Sequence, residues 1–174
     1  MKSKLAIVLL VTVLCCKKNY AQNETPQQLS YILKLEGNWV SNAAITMGDQ
    51  TQKTIYYADF EKISDGSGLL MKEWCTIESA GKFTGTDLIG YDPNDGKIHW
   101  YTVDNMGTTH EHIGSFSDAD HFTMQHKSMR DGKEFIENIV MTFTGKNSLH
   151  LEIIATLDGK QEEKIAGDFT RKSS

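Results

Sequence analysis

Five of the chain's six histidines fall between positions 99 and 126, in the stretch IHWYTVDNMGTTHEHIGSFSDADHFTMQH (residues 98–126). Side chains at alternate positions of a strand share a face, so His110-x-His112 can present two imidazoles to one site. Turn chemistry sets what lies beside them. Asn105-Met106-Gly107 suits a three-residue hairpin with its glycine in the left-handed position. That loop pairs Asp104 with Thr108, Thr102 with His110 and Trp100 with His112. In the next hairpin, Phe116, Phe122 and Met124 should share the apolar face. This sets Phe116 opposite Asp120, His112 opposite Met124 and His110 opposite His126. One face then collects Ile98, Trp100, His110, His112, Phe116, Phe122, Met124 and His126, while His99, Glu111 and His121 turn the other way.

Two kinds of chemistry suit such a face. Three imidazoles from adjacent strands match a zinc ion with one open position, or a haem, and such a metal could polarise a bound water. Alternatively, His110, His112 and His126 are hydrogen-bonded wall residues that orient an organic ligand, with Trp100, Phe116, Phe122 and Met124 supplying contact area. The second reading is preferred: a small apolar molecule as partner, no cofactor and no catalysis. Zinc or haem at the three histidines is the alternative. Other constellations fall short. No serine sits in a nucleophile elbow, and no Gly-rich strand-to-helix loop could cradle phosphate. Glu73 and Asp87 stand among apolar residues, as inward carboxylates or as exposed groups at a bulge. DPNDG, residues 92–96, is too short for a calcium shell and reads as a turn.

These residues need a wall to stand in. From Gly37 onward the pattern alternates with period two and is broken at short intervals by Gly, Asn and Asp. Ten strands follow, at roughly 37–46, 51–63, 67–78, 81–91, 97–104, 108–116, 120–128, 133–144, 148–158 and 161–171. No gap holds a crossover helix, so neighbours pair antiparallel as a meander. Closure removes both free edges, and a ten-stranded barrel leaves interior room for a ligand. The expected class is therefore all-β, an up-and-down antiparallel barrel, with a two-sheet sandwich as the rival. Ahead of it, TPQQLSYILKLEG carries a helix signature. Thr25 can cap, Pro26 suits the first position, Gln28 completes a capping box, and Leu29, Ile32 and Leu33 share a face.

Barrel closure requires the first strand to meet the last. Gly37 allows a tight bend off the helix, Trp39 can cover the bottom, and Arg171 can lay a cation over that indole. In this Gly-x-Trp and closing arginine the chain resembles the calycin (lipocalin-like) barrels. A longer likeness runs through LIGYDPNDGKIHWYTVDNMGT, DGKEF and DFTRK, across roughly residues 35–172. These segments resemble the bacterial domain-of-unknown-function family 1579. The resemblance implies a lipocalin-like fold and carries over no catalytic residue.

The ends and the charge complete the picture. Lys2 and Lys4, an apolar run from Leu5 to Cys16 and a polar exit read as a secretory signal over residues 1–21. A lipoprotein signal at Cys15 or Cys16 is less favoured, because bulky Leu14 precedes it. Residues 22–36 form an N-terminal helical segment and 37–172 the barrel, with no transmembrane segment in the mature chain. Loss of the signal removes four lysines and no acid, taking the net charge from −5 to −9. An acidic body argues against nucleic acid as a partner. Cys75 is then the one remaining cysteine, so no internal disulfide holds the fold. The expectation is a periplasmic or secreted barrel that binds a small apolar ligand. Its alternatives are a metal- or haem-dependent protein and a non-catalytic envelope interaction module.

Overall fold

The computed structural model describes residues 25–173. The expected secretory signal, residues 1–21, lies outside the described residues. Within them, a short helix α1 (Gln27–Ile32) and a 3-10 turn (Leu33–Leu35) precede ten strands: β1 (Gly37–Met47), β2 (Gln50–Ile63), β3 (Gly68–Ile77), β4 (Gly81–Asp92), β5 (Lys97–Asp104), β6 (Thr109–Phe116), β7 (His121–Arg130), β8 (Lys133–Gly145), β9 (Ser148–Leu157) and β10 (Lys160–Arg171). Each pairs antiparallel with its sequence neighbours, and β1 pairs with β10, so the sheet is a closed barrel. The meander closes as its period-two pattern requires, and the sandwich alternative is excluded.

The seam is built from local chemistry. Trp39 sits opposite Arg171 in the β1–β10 register, which runs on to Met47 opposite Glu163. The Arg171 guanidinium lies 4.6 Å from the Trp39 ring centroid and donates to the Lys34 carbonyl at the end of the 3-10 turn. Trp39, 1% exposed, donates its indole N–H to the Leu35 carbonyl at 2.7 Å. Two orphan carbonyls of the helical segment are thus satisfied by the barrel's first and last strands. Gly37 has φ +118°, a backbone conformation that L side chains rarely adopt, while a Cβ there would make only ordinary contact with Arg171 Cδ at 3.5 Å, so the bend itself calls for glycine.

The helix departs from its expected cap. Pro26 stands at the N-cap without a side-chain bond, and no Thr25–Gln28 capping box forms. Gln28 instead reaches across the barrel end. Its amide oxygen accepts from Phe116 N–H at 2.7 Å, and its amide nitrogen donates to the Phe116 carbonyl at 3.0 Å. The longer-range pairing wins because the terminal backbone of β6 would otherwise be buried unpaired beneath the helix. Leu29, Ile32 and Leu35 are buried over that end, where Tyr31 packs edge-on to Phe116 at 5.4 Å.

Removing Trp39 would leave a cavity at the seam and an unpaired carbonyl. Trp39→Ala should cost about 3–5 kcal/mol, and Arg171→Met about 1–2 kcal/mol, in urea unfolding. An unchanged midpoint for Arg171→Met would show that closure does not use the cation.

Candidate functional site

The β5–β6 hairpin adopts the expected register, with Thr102 opposite His110 and Trp100 opposite His112. Asp104 N–H donates to the Thr108 carbonyl, and the Asp104 carboxylate accepts from Met106 and Thr108 N–H groups, which fixes the loop. The β6–β7 register differs from the sequence expectation. Phe116 faces Phe122 and Gly114 faces Met124, a slip of two residues. The cause is the Ser117–Asp120 turn. Asp118 accepts from the N–H groups of Asp120 and His121, and Ser117 N–H donates to the His121 carbonyl, so five residues rather than three lie between Phe116 and the residue opposite it. An even slip preserves which face each side chain takes, so His126 still turns toward His110 and His112. A Cβ on residue 114 would lie 2.1 Å from the Thr123 carbonyl oxygen, so only glycine permits this approach.

The β6–β7 ladder runs only from Phe116 to Ile113. Above it the two strands are joined by side chains. His126 Nδ1 lies 2.9 Å from the Glu111 carbonyl, and its ring stacks on His110 at 4.2 Å between centroids. His110 and His112 meet edge-on at 4.6 Å.

The barrel holds a cavity of about 270 Å³, just below the roughly 300–1,000 Å³ of drug-sized ligand pockets. Of the residues singled out from the sequence, Trp100, His110, His112 and Met124 line it. Phe116, Phe122 and His126 are not part of that lining. Phe116 and Phe122, 4.7 Å apart, pack with Phe143 and Tyr31 as the plug of the helix-covered end. They share the inward face but sit a tier too low. The outward residues are where alternation puts them: His99 bonds to Glu111 and Asp95, His121 to Asp118, and His150 to Asp168.

The lining is mostly aliphatic and aromatic, with Phe60, Met71, Ile139, Met141 and Phe169 among it, yet five carboxylates enter: Glu73, Asp87, Asp104, Glu137 and Glu163. One arginine, Arg130, reaches the same space. Glu73 and Asp87 are thus inward. Tyr56 donates to Glu73, and burial followed by the nearby Asp87 pushes the Glu73 carboxyl up to about 8. A Cβ at residue 85, opposite Glu73, would lie 2.5 Å from its Oε1, so Gly85 provides the carboxyl's room. Asp87 is 2% exposed, and burial lifts it to about 6, partly countered by Thr102 and Trp100. Its Oδ2 has no hydrogen-bond partner.

Glu137 behaves oppositely. Its Oε2 lies 3.0 Å from Nε2 of both His110 and His112. Burial would raise its pKa, but the two histidines outweigh it and bring the carboxyl down to about 2. His112 meets that oxygen with hydrogen-bond geometry, whereas His110 Nε2 does not and is buried without a partner. The expected three-histidine set is therefore a two-histidine, one-carboxylate set, with His126 behind it. Phase alone could have found Glu137, since Phe135, Glu137, Ile139, Met141 and Phe143 alternate along β8.

A carboxyl raised in the fold holds its proton longer than in the unfolded chain, so its contribution is complete below about pH 4.5 and is lost as pH rises through about 8. Glu73→Gln should therefore flatten the fall in unfolding free energy between pH 5 and 8, measured in urea. Parallel pH profiles for the two proteins would contradict the buried-acid assignment.

No protein-family model and no curated protein matches this chain. Among solved structures, the chain is similar to the S-type phycobiliprotein lyase CPES from Guillardia theta, with a TM-score of 0.55 and 11% identity over 83% of this chain and 92% of that one. At that identity the likeness is one of fold: this chain is a lipocalin-like β-barrel.

Proposed function

We propose that this protein is an exported binding barrel that holds a small, largely apolar molecule in its interior without transforming it. The observation that carries the reading is the 270 Å³ cavity: an apolar wall with a few convergent polar groups, inside a barrel closed at one end by its own helix. The similar structure, a phycobiliprotein lyase, supports a barrel of this shape taking up a small molecule. Export rests on residues 1–21, and kinship with domain-of-unknown-function family 1579 rests on the segments between 35 and 172; both belong to the same proposal.

The cavity's charge narrows the ligand. Five carboxylates against one arginine disfavour an anionic guest, because a second negative charge in this partly dehydrated space would stand near Asp87 and Glu137. A guest whose polar end donates hydrogen bonds or carries positive charge can instead use the unpartnered Asp87 Oδ2. Trp100, 6% exposed and lining the cavity, stands beside any occupant.

The test is a fluorescence titration, with chelator present, against lipophiles that share one tail and differ in ending in an amine, an alcohol or a carboxylate. Quenching should saturate at one equivalent and vanish in Trp100→Phe, with the amine at least about ten-fold tighter than the carboxylate, a difference of roughly 1.4 kcal/mol. Absence of saturable quenching across the panel would overturn interior binding. Equal affinity for amine and carboxylate would overturn the charge argument alone.

A further inference from the structure

We infer that His110, His112 and Glu137 form a binding site for one divalent transition-metal ion of the zinc type, carried on the cavity wall. The site goes beyond the apolar binding just proposed and does not depend on it.

Three observations converge. Two imidazole nitrogens and a carboxylate oxygen all lie within 4.8 Å of one another, on β6 and β8. Nitrogen-and-oxygen donor sets of this composition suit zinc and its neighbours rather than calcium or magnesium, which take oxygen shells. The spacing is close to what an ion needs. Donors about 2.0–2.1 Å from a tetrahedral zinc stand roughly 3.3 Å apart, and Glu137 Oε2 is already 3.0 Å from each Nε2. Movements of a few tenths of an ångström would seat the ion on those two edges.

The third observation is a mismatch that hydrogen bonding does not resolve. Two imidazoles aim Nε2 at one carboxylate oxygen, but only His112 does so as a hydrogen bond. The buried His110 Nε2 is left without a partner. His112 is also unmatched at Nδ1, with a side chain 4% exposed. Buried polar atoms in native structures are nearly always satisfied, so an unpaired nitrogen beside a shared oxygen is open to an ion bound by both. A cation in that position takes the lone pairs of both imidazoles and one from the carboxylate at once.

The surroundings favour holding it. His110 is backed by the stacked ring of His126, whose own Nδ1 is engaged by the Glu111 carbonyl. That bond assigns His126 to support rather than ligation. All three ligand residues line the cavity, so a fourth coordination position faces the space a small molecule would occupy. A second group of metal-ligand type, Asp92, Asp95 and His99, lies elsewhere in the fold. There each histidine nitrogen already has a carboxylate partner, at 3.1 Å and 2.7 Å, so it lacks the unmatched donor.

The experiment is calorimetric titration of zinc into untagged, chelator-stripped full-length protein, with cobalt in parallel for its visible absorption. One equivalent should bind, and cobalt should give the intense bands of a four-coordinate ion. Glu137→Gln and His110→Gln should each weaken binding by at least about ten-fold. His99→Ala should leave affinity, stoichiometry and cobalt spectrum unchanged. Circular dichroism on each stripped variant separates lost ligation from lost fold, and His110→Gln retains a polar wall if Glu137→Gln fails to fold. Absence of binding at one equivalent, or binding lost in His99→Ala but kept in Glu137→Gln, would overturn the assignment. Loss of lipophile binding with zinc binding intact would leave it standing.

Discussion

A meander of ten strands has one pairing that its sequence order does not provide, and every interior group depends on it. That pairing is β1 with β10. It is secured at the lower end by an indole that reaches one helical carbonyl and a guanidinium that covers the indole and reaches another. Without it the chain would be a twisted ribbon with two free edges and a wet inner face. With it, the same alternation that places Trp100 inward on β5 also places Glu73 inward on β3 and Glu137 inward on β8, and a set of unrelated strands acquires a common interior.

That interior separates into tiers. At the helix-covered end it is a dry aromatic plug in which Phe116, Phe122 and Phe143 meet Tyr31. Toward the other end it becomes acidic, and the carboxylates take different protonation states through different neighbours. Glu73, buried and near another acid, is pushed up to about 8 despite the bond from Tyr56. Glu137, against two histidines, is held ionised. The contrast follows from local partners, since both are carboxylates withdrawn from bulk water.

How much of this was legible follows from what alternation can and cannot encode. Strand limits and the β5–β6 register were readable because turn residues and a period-two pattern are local signals. The inward set Trp100, His110, His112 and Met124 came from those signals alone. Depth along the barrel was not readable, because period two says which face a residue takes and not which tier. For that reason the pattern groups Phe116 and Phe122 with the cavity wall, whereas they pack in the plug. Glu137 is in phase with its apolar neighbours, but acidic residues on strands ordinarily face water, so phase by itself does not single it out. The two-residue slip at Ser117–Asp120 escaped because it leaves every face unchanged. Gln28 left its capping box for a partner 88 residues away, which no local reading anticipates.

The short β6–β7 ladder has an energetic consequence. Nine of the ten seams are zipped by backbone hydrogen bonds over most of their length, whereas this one is laced, above Ile113, by a single imidazole-to-carbonyl link and a stacked pair of rings. Parting two strands there forfeits one such link instead of a row of amide bonds. The seam beside the barrel's most polar wall is accordingly the one whose parting forfeits the fewest backbone bonds.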